Sequence, residues 1–162
     1  MAEKKIMIVD YEAQSLDSMA ELFKPYKVQI IKAADGLAAY EKFKTEKPDL
    51  VILEAILPKI HGFDLTKKIS QESRGSVPVV IVTGLYRGPQ YKHEALTSFG
   101  ATDYFEKPLD KERFLASVLS LLNAEEDIEE ELPDSTAIIE NLSHRMKTQY
   151  LRSKKGESFE QA

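Results

Sequence analysis

The sequence predicts an α/β domain, a doubly wound five-stranded parallel sheet over residues 1–123, with a C-terminal amphipathic helix appended. Three observations predict it. Short, mostly apolar runs recur from Ile6 to Phe105. Between them lie stretches with apolar residues three and four apart, the spacing of one helix face. Gly, Pro and Asp punctuate the junctions. Strands apolar on both faces and separated by helices make a parallel sheet covered on both sides, and such a sheet binds ligands outside the carboxyl ends of its strands.

Ile6–Val9 is the first strand, and Leu16, Met19, Ala20 and Phe23 then mark a helix face over 14–24. Val28–Ile31 is the second strand. Asp35 is placed to cap the next helix, which carries Leu37, Ala38, Tyr40 and Phe43. Pro48-Asp49 breaks the chain before the wholly apolar strand Leu50–Leu53. A helix from Gly62 to Gln71 leads to the strand Val77–Val82. The segment from Pro89 to Phe99 reads as helix, closed by Gly100, a residue suited to the position after a helix end. Thr102–Phe105 is the fifth strand, and Asp110 caps a last helix through Phe114, Leu115, Val118, Leu119 and Leu122.

The pattern then changes. Residues 124–133 are predominantly acidic and end in proline, a self-repelling linker. A helix is expected over 134–152, with Ile138, Ile139, Leu142, Met146 and Tyr150 along one side, and 153–162 read as a disordered tail. That stripe is too apolar for a solvated helix, so it folds back, pairs with a second copy as a homodimer, or docks on another protein.

Composition excludes several functions. With no cysteine, disulfides, thiolate metal sites and cysteine nucleophiles are ruled out. A net charge of −5 disfavours nucleic acid and anionic membrane as partners. No apolar stretch approaches the roughly 20 residues that cross a bilayer, and the N-terminus lacks a secretory pattern, so a cytoplasmic protein is expected. His93-Glu94 has no second histidine at helical spacing and reads as surface. The turn after the first strand, Asp10–Ser15, contains neither a dinucleotide nor a nucleotide phosphate loop. No enzyme is expected.

Asp10-Tyr11-Glu12, Glu54, Thr83 and Lys107-Pro108 all fall at carboxyl ends of strands. Carboxylates, a hydroxyl and an ammonium therefore converge on the crevice.

Over residues 4–123 the chain resembles the receiver domain of two-component response regulators. The resemblance rests on IMIVDYE, AADGLAAYEKF, KPDLVILEAILPKIHGFDL, VPVVIVTG and GATDYFEKPLD, five stretches in order. It implies the flavodoxin-like fold and a role in phosphorelay signalling, with a histidine kinase or a downstream effector as partner. It also implies roles for residues. An acidic pair, the acceptor aspartate and a backbone carbonyl two residues beyond it hold magnesium. A hydroxyl and a lysine hold the phosphoryl oxygens, and an aromatic on the fifth strand follows the hydroxyl. Asp10 matches the first acid, Thr83 the hydroxyl, Lys107 the lysine, and Pro108 the family's cis Lys-Pro step. Thr83 and Tyr104 match the switch. Tyr11 replaces the second acid, Glu54 the acceptor, and His61 another commonly acidic loop position.

Glu54 carries its carboxylate one methylene farther, about 1.5 Å, and a misplacement of about 1 Å can cost on the order of 10²-fold in a positioned reaction. Tyr11 removes a charge and adds bulk at the metal site. The expected protein is thus an atypical receiver that works through protein contacts, with no catalytic residue. No cofactor is required, and magnesium on Asp10, Glu54 and the Ile56 carbonyl is expected only if metal affinity survives. Three readings stand. Glu54 imitates the phosphorylated state through an ion pair with Lys107, worth at most ~4 kcal/mol before desolvation. Alternatively the domain is a docking scaffold. In the third, it is a magnesium-dependent phosphoacceptor using Glu54 or Asp10. The loop Tyr86-Arg87-Gly88-Pro89 is longer than usual for the family, either a tolerated surface insertion or a rebuilt lid beside Tyr104, and Tyr11, Tyr86 and Tyr91 either serve it or simply pack.

Overall fold

The computed structural model describes residues 3–123. The linker over 124–133, the helix over 134–152 and the tail expected from sequence lie outside the described residues. The element order is β1 (Lys4–Val9), α1 (Ala13–Glu21), β2 (Val28–Ala33), α2 (Gly36–Glu46), β3 (Leu50–Glu54), α3 (Gly62–Ser73), β4 (Val79–Thr83), α4 (Pro89–Ser98), β5 (Asp103–Glu106) and α5 (Lys111–Leu122). The strands form one sheet in the order β2-β1-β3-β4-β5, and every neighbouring pair is parallel.

The apolar runs follow from burial on both faces. Successive side chains of a strand point to opposite faces. Met7, Val9, Val51, Leu53, Val79 and Ile81 enter one core with Ala39, Leu65, Ile69 and Ala95 from α2, α3 and α4. Ile6, Ile8, Leu50, Ile52, Val80 and Val82 enter the other with Leu16, Met19, Phe114, Val118 and Leu122 from α1 and α5. A strand with cores on both sides has no polar face to show, so alternation disappears from its sequence.

Several boundaries differ from the pattern: β1 begins two residues earlier, at Lys4, β2 runs two residues further, to Ala33, and α3 ends at Ser73. The first helix ends at Glu21, not near Lys24, because the N–H groups of Leu22, Phe23 and Lys24 bond three residues back instead of four. Phe23 still reaches the core from this tightened turn, edge-on to Phe114 at 6.3 Å between ring centres. The fourth strand begins at Val79, since Pro78 has no N–H to give the ladder, although its carbonyl accepts from Val51. The fifth is shifted by one residue, to Asp103–Glu106.

The caps are where the sequence put them. Asp35 accepts from the Ala38 N–H at 2.7 Å, and Asp110 Oδ1 from the Arg113 N–H at 3.2 Å. Gly100 follows α4 with φ of 84°, a left-handed conformation that glycine adopts without strain. Gly62 serves a different need. Its N–H bonds the Ala55 carbonyl at 2.8 Å, and a Cβ there would collide with the carbonyl of Glu54. The start of α3 can therefore lie directly against the end of β3, which fixes the backbone carrying Glu54.

Candidate functional site

Glu54 is the last residue of β3, at the centre of the sheet, and only 8% of it is exposed. Its carboxylate turns back on its own backbone. Oε2 accepts from the Ala55 N–H at 2.9 Å and from the Ile56 N–H at 3.4 Å. Oε1 faces Lys107 Nζ at 3.1 Å.

Lys107 stands one residue beyond β5, where its N–H continues the ladder to the Thr83 carbonyl at 2.9 Å. The Lys107–Pro108 peptide is cis, as the resemblance implied. Besides Glu54, the ammonium lies 3.6 Å from Asp10 Oδ2 and 3.3 Å from Ser15 Oγ. Burial alone would lower the pKa of Lys107, but the hydrogen bond and charge of Glu54, reinforced by Asp10, outweigh it and leave the pKa raised.

Asp10, buried at the tip of β1, is equally occupied. Oδ1 accepts from the Glu12 N–H at 3.0 Å and Oδ2 from the Ser15 hydroxyl at 2.6 Å. Each oxygen of the two carboxylates thus has a donor, and an ammonium stands between the pair. Tyr11 supplies no third carboxylate. Its side chain turns out to solvent, 51% exposed, so it neither packs nor crowds the pocket as the sequence suggested it could. Among the described residues no group of three or more His, Cys, Asp or Glu is placed to hold a metal. A hard divalent cation needs several oxygens free to turn toward it. The Asp10 and Glu54 oxygens that such a cation would need are each bonded to a protein donor.

Thr83 is fully buried, and its hydroxyl accepts from the Leu85 N–H at 3.2 Å, shaping the start of the following loop. Tyr104 is buried with its ring turned inward, and its hydroxyl donates to the Tyr86 carbonyl at 2.6 Å. Burial, and then the negative charges of Glu106 and Glu54, push its pKa up to about 12.

The loop after β4 is fastened from three sides. Arg87 Nη1 donates to the Lys107 carbonyl at 2.6 Å, and the Gly88 N–H donates to Glu106 Oε2 at 2.6 Å. The Tyr86 ring packs against His61, Phe63 and Tyr91, with ring centres 5.2 to 5.8 Å apart. His61 itself caps α3, its Nδ1 accepting from the Phe63 N–H at 3.1 Å, while Nε2 lies 3.4 Å from the Tyr86 hydroxyl. So Tyr86 and Tyr91 do pack, and the packing is what holds the loop over Tyr104.

The structure brings Asp10, Glu54 and Lys107 into direct contact and places Thr83 and Tyr104 on the neighbouring strands. Sequence reasoning missed Ser15 and Glu106, and named Arg87 only as part of its loop. Ser15 sits in the first turn of α1, where a helix starting right after a strand end turns its third residue back toward that end. Its spacing of five from Asp10 was the available signal.

A family model described as the response regulator receiver domain matches residues 6–119. Among curated proteins, the alkaline phosphatase synthesis transcriptional regulatory protein PhoP of Bacillus subtilis is 30% identical over 123 residues, covering 76% of this chain and 50% of that protein. Protein PilH of Pseudomonas aeruginosa is 28% identical over 119 residues, covering 73% of this chain and 97% of PilH. The chain thus spans about half the length of the transcriptional regulators it matches, but nearly all of PilH. Among solved structures, a CheY-like response regulator receiver domain protein from Methanospirillum hungatei superposes with a TM-score of 0.69 at 25% identity, covering 76% of this chain and 96% of that one.

Proposed function

The chain belongs to the response regulator receiver domain family, and from that premise we propose that it is a receiver of two-component signalling whose pocket is held in one state by a built-in ion pair. It acts through protein contacts with a kinase or effector, without an acyl phosphate on residue 54. The observation that carries this reading is the double engagement of Glu54, one oxygen on Lys107 at 3.1 Å and the other on two backbone N–H groups.

In a receiver that accepts a phosphoryl group, the acceptor carboxylate must be free to attack as a nucleophile. Here attack requires Oε1 to leave an ammonium or Oε2 to leave two N–H donors, in a buried setting where such contacts are strong. The same lysine that would hold phosphoryl oxygens arriving at residue 54 is paired with Glu54 itself, so attack there would break the contact that the lysine supplies.

The ion pair also has a route to the surface. Lys107 is bound through its carbonyl to Arg87, and the next residue of that loop bonds Glu106. Between them and the core, Tyr104 is drawn inward onto Tyr86. A loop tied to both the lysine and the switch aromatic presents one fixed face to a partner.

The test is to return the two departures together. Glu54→Asp with Tyr11→Asp gives a shorter carboxylate at position 54 and restores the missing acid. This double variant should gain an acyl phosphate from acetyl phosphate and magnesium, at least 10-fold above either single change. If it stays unmodified although folded, residue 54 is not the displaced acceptor.

A further inference from the structure

One group in the pocket has no part in the reading above. Ser15 lies in the first turn of α1, half-buried, with its hydroxyl between two charged side chains. Its Oγ donates to Asp10 Oδ2 at 2.6 Å and accepts from Lys107 Nζ at 3.3 Å. The hydroxyl donates its hydrogen to a carboxylate, which places a base on the proton that an attacking oxygen must lose. The carboxylate is within the distance a general base needs, about 2.6–3.2 Å. Asp10 is in turn held by the Glu12 N–H at 3.0 Å, so nucleophile, base and orienting donor form a chain. Ser15 lines a cleft of about 440 Å³ together with Glu12, Ala13 and Gln14.

We propose that Ser15 is a phosphoryl acceptor of this pocket, taking its group from a small acyl phosphate with Asp10 as base and Lys107 holding the transferred oxygens. Ser15 Oγ forms the new bond to phosphorus as the bond from phosphorus to the acyl oxygen breaks. The carboxylate of the donor leaves with that electron pair, and the hydroxyl proton passes to Asp10 Oδ2. Proton uptake removes the negative charge nearest the arriving group, and the ammonium 3.3 Å from Oγ is already in place for the phosphoryl oxygens. No metal is required, in keeping with a pocket whose carboxylates are committed elsewhere. The product, a phosphoserine in the first turn of a helix and beside a lysine, lies where an added phosphate is stabilised. It also competes with Glu54 for Lys107, which gives the otherwise fixed ion pair an input that can loosen it.

The chemistry of the product makes the test clean. The full chain is incubated with acetyl phosphate, with chelator and separately with magnesium, and followed by intact mass, peptide mapping and hydroxylamine treatment. A phosphoserine survives hydroxylamine; an acyl phosphate on Asp10 or Glu54 does not. The expected result is one hydroxylamine-stable phosphoryl group in the peptide containing Ser15, formed without metal. It should vanish in Ser15→Ala, persist in Ser18→Ala on the same helix, and form about 10²-fold or more slowly in Asp10→Asn. Thermal unfolding of each variant separates loss of the acceptor from loss of the fold, and mapping of the unaltered chain stands even if a variant fails to fold. No stable label, or a stable label elsewhere, overturns the proposal for Ser15 and leaves the ion-pair reading intact. A hydroxylamine-labile label alone overturns the proposal for Ser15, and overturns the ion-pair reading as well when it maps to Glu54.

Discussion

The Tyr104 hydroxyl donates to the carbonyl of Tyr86 across 2.6 Å, so a buried side chain of the fifth strand is bonded to the loop that follows the fourth. The inward position of Tyr104 is therefore held by a named acceptor. Tyr104→Phe should keep the ring in the core and lose only this bond, lowering stability by about 1 kcal/mol. The loop should open with it, seen as faster hydrogen exchange at the Gly88 N–H, which bonds Glu106. Unchanged exchange there would mean that Tyr104 and the loop are independent.

The alkaline limb of stability follows from two raised pKa values. Tyr104 is pushed up to about 12, against about 10 for a phenol in the unfolded chain. Its unfolded form loses the proton first, so its contribution is complete below about pH 10 and is lost as pH rises toward 12. Lys107 has the same sign, since its folded pKa lies above the ordinary lysine value of about 10.4. Urea unfolding should show a flat plateau from pH 8 to 10 and a fall above it. Tyr104→Phe should reduce the fall, and a variant with the full fall intact would contradict the assignment.

Removing the two members of the ion pair should have unequal effects. Lys107→Met leaves Asp10 and Glu54, both buried, without their cation, at a cost of about 3–5 kcal/mol. Glu54→Gln keeps the shape and can still hold the lysine through its amide oxygen, so about 1–2 kcal/mol is expected. Equal losses in denaturant titration would show that the pair is screened by solvent and does not hold the pocket.

Gly62→Ala tests the junction beneath the site. The added Cβ meets the Glu54 carbonyl and the Ala55 backbone, groups that cannot rotate away. A loss of about 1–3 kcal/mol is expected, with the chemical shift of the Ala55 N–H moving as β3 gives ground. A neutral substitution would mean that α3 can slide without disturbing residue 54.

Much of the architecture was legible because burial on both faces writes itself into strands such as Leu50–Glu54 and Val79–Thr83, and because Asp35, Gly100 and Asp110 signal helix ends by local chemistry. The pocket was legible in outline for the same reason: an open α/β sheet delivers its strand ends to one crevice. What pattern could not supply was direction. Nothing local says that Tyr11 turns outward, that Glu54 folds back onto Ala55 and Ile56, or that Ser15 meets Lys107 across 92 positions of chain. The fastening of the loop was hidden likewise, because Arg87 and Glu106 look like ordinary surface charges until the fold sets them beside backbone groups.

The central claim is that Glu54 is a fixed partner of Lys107 and accepts no phosphoryl group. Incubation with acetyl phosphate and magnesium, followed by hydroxylamine, converts any acyl phosphate into a hydroxamate that peptide mass spectrometry assigns to its residue. The account predicts an unaltered Glu54 in the peptide spanning β3. A hydroxamate at Glu54 would contradict it.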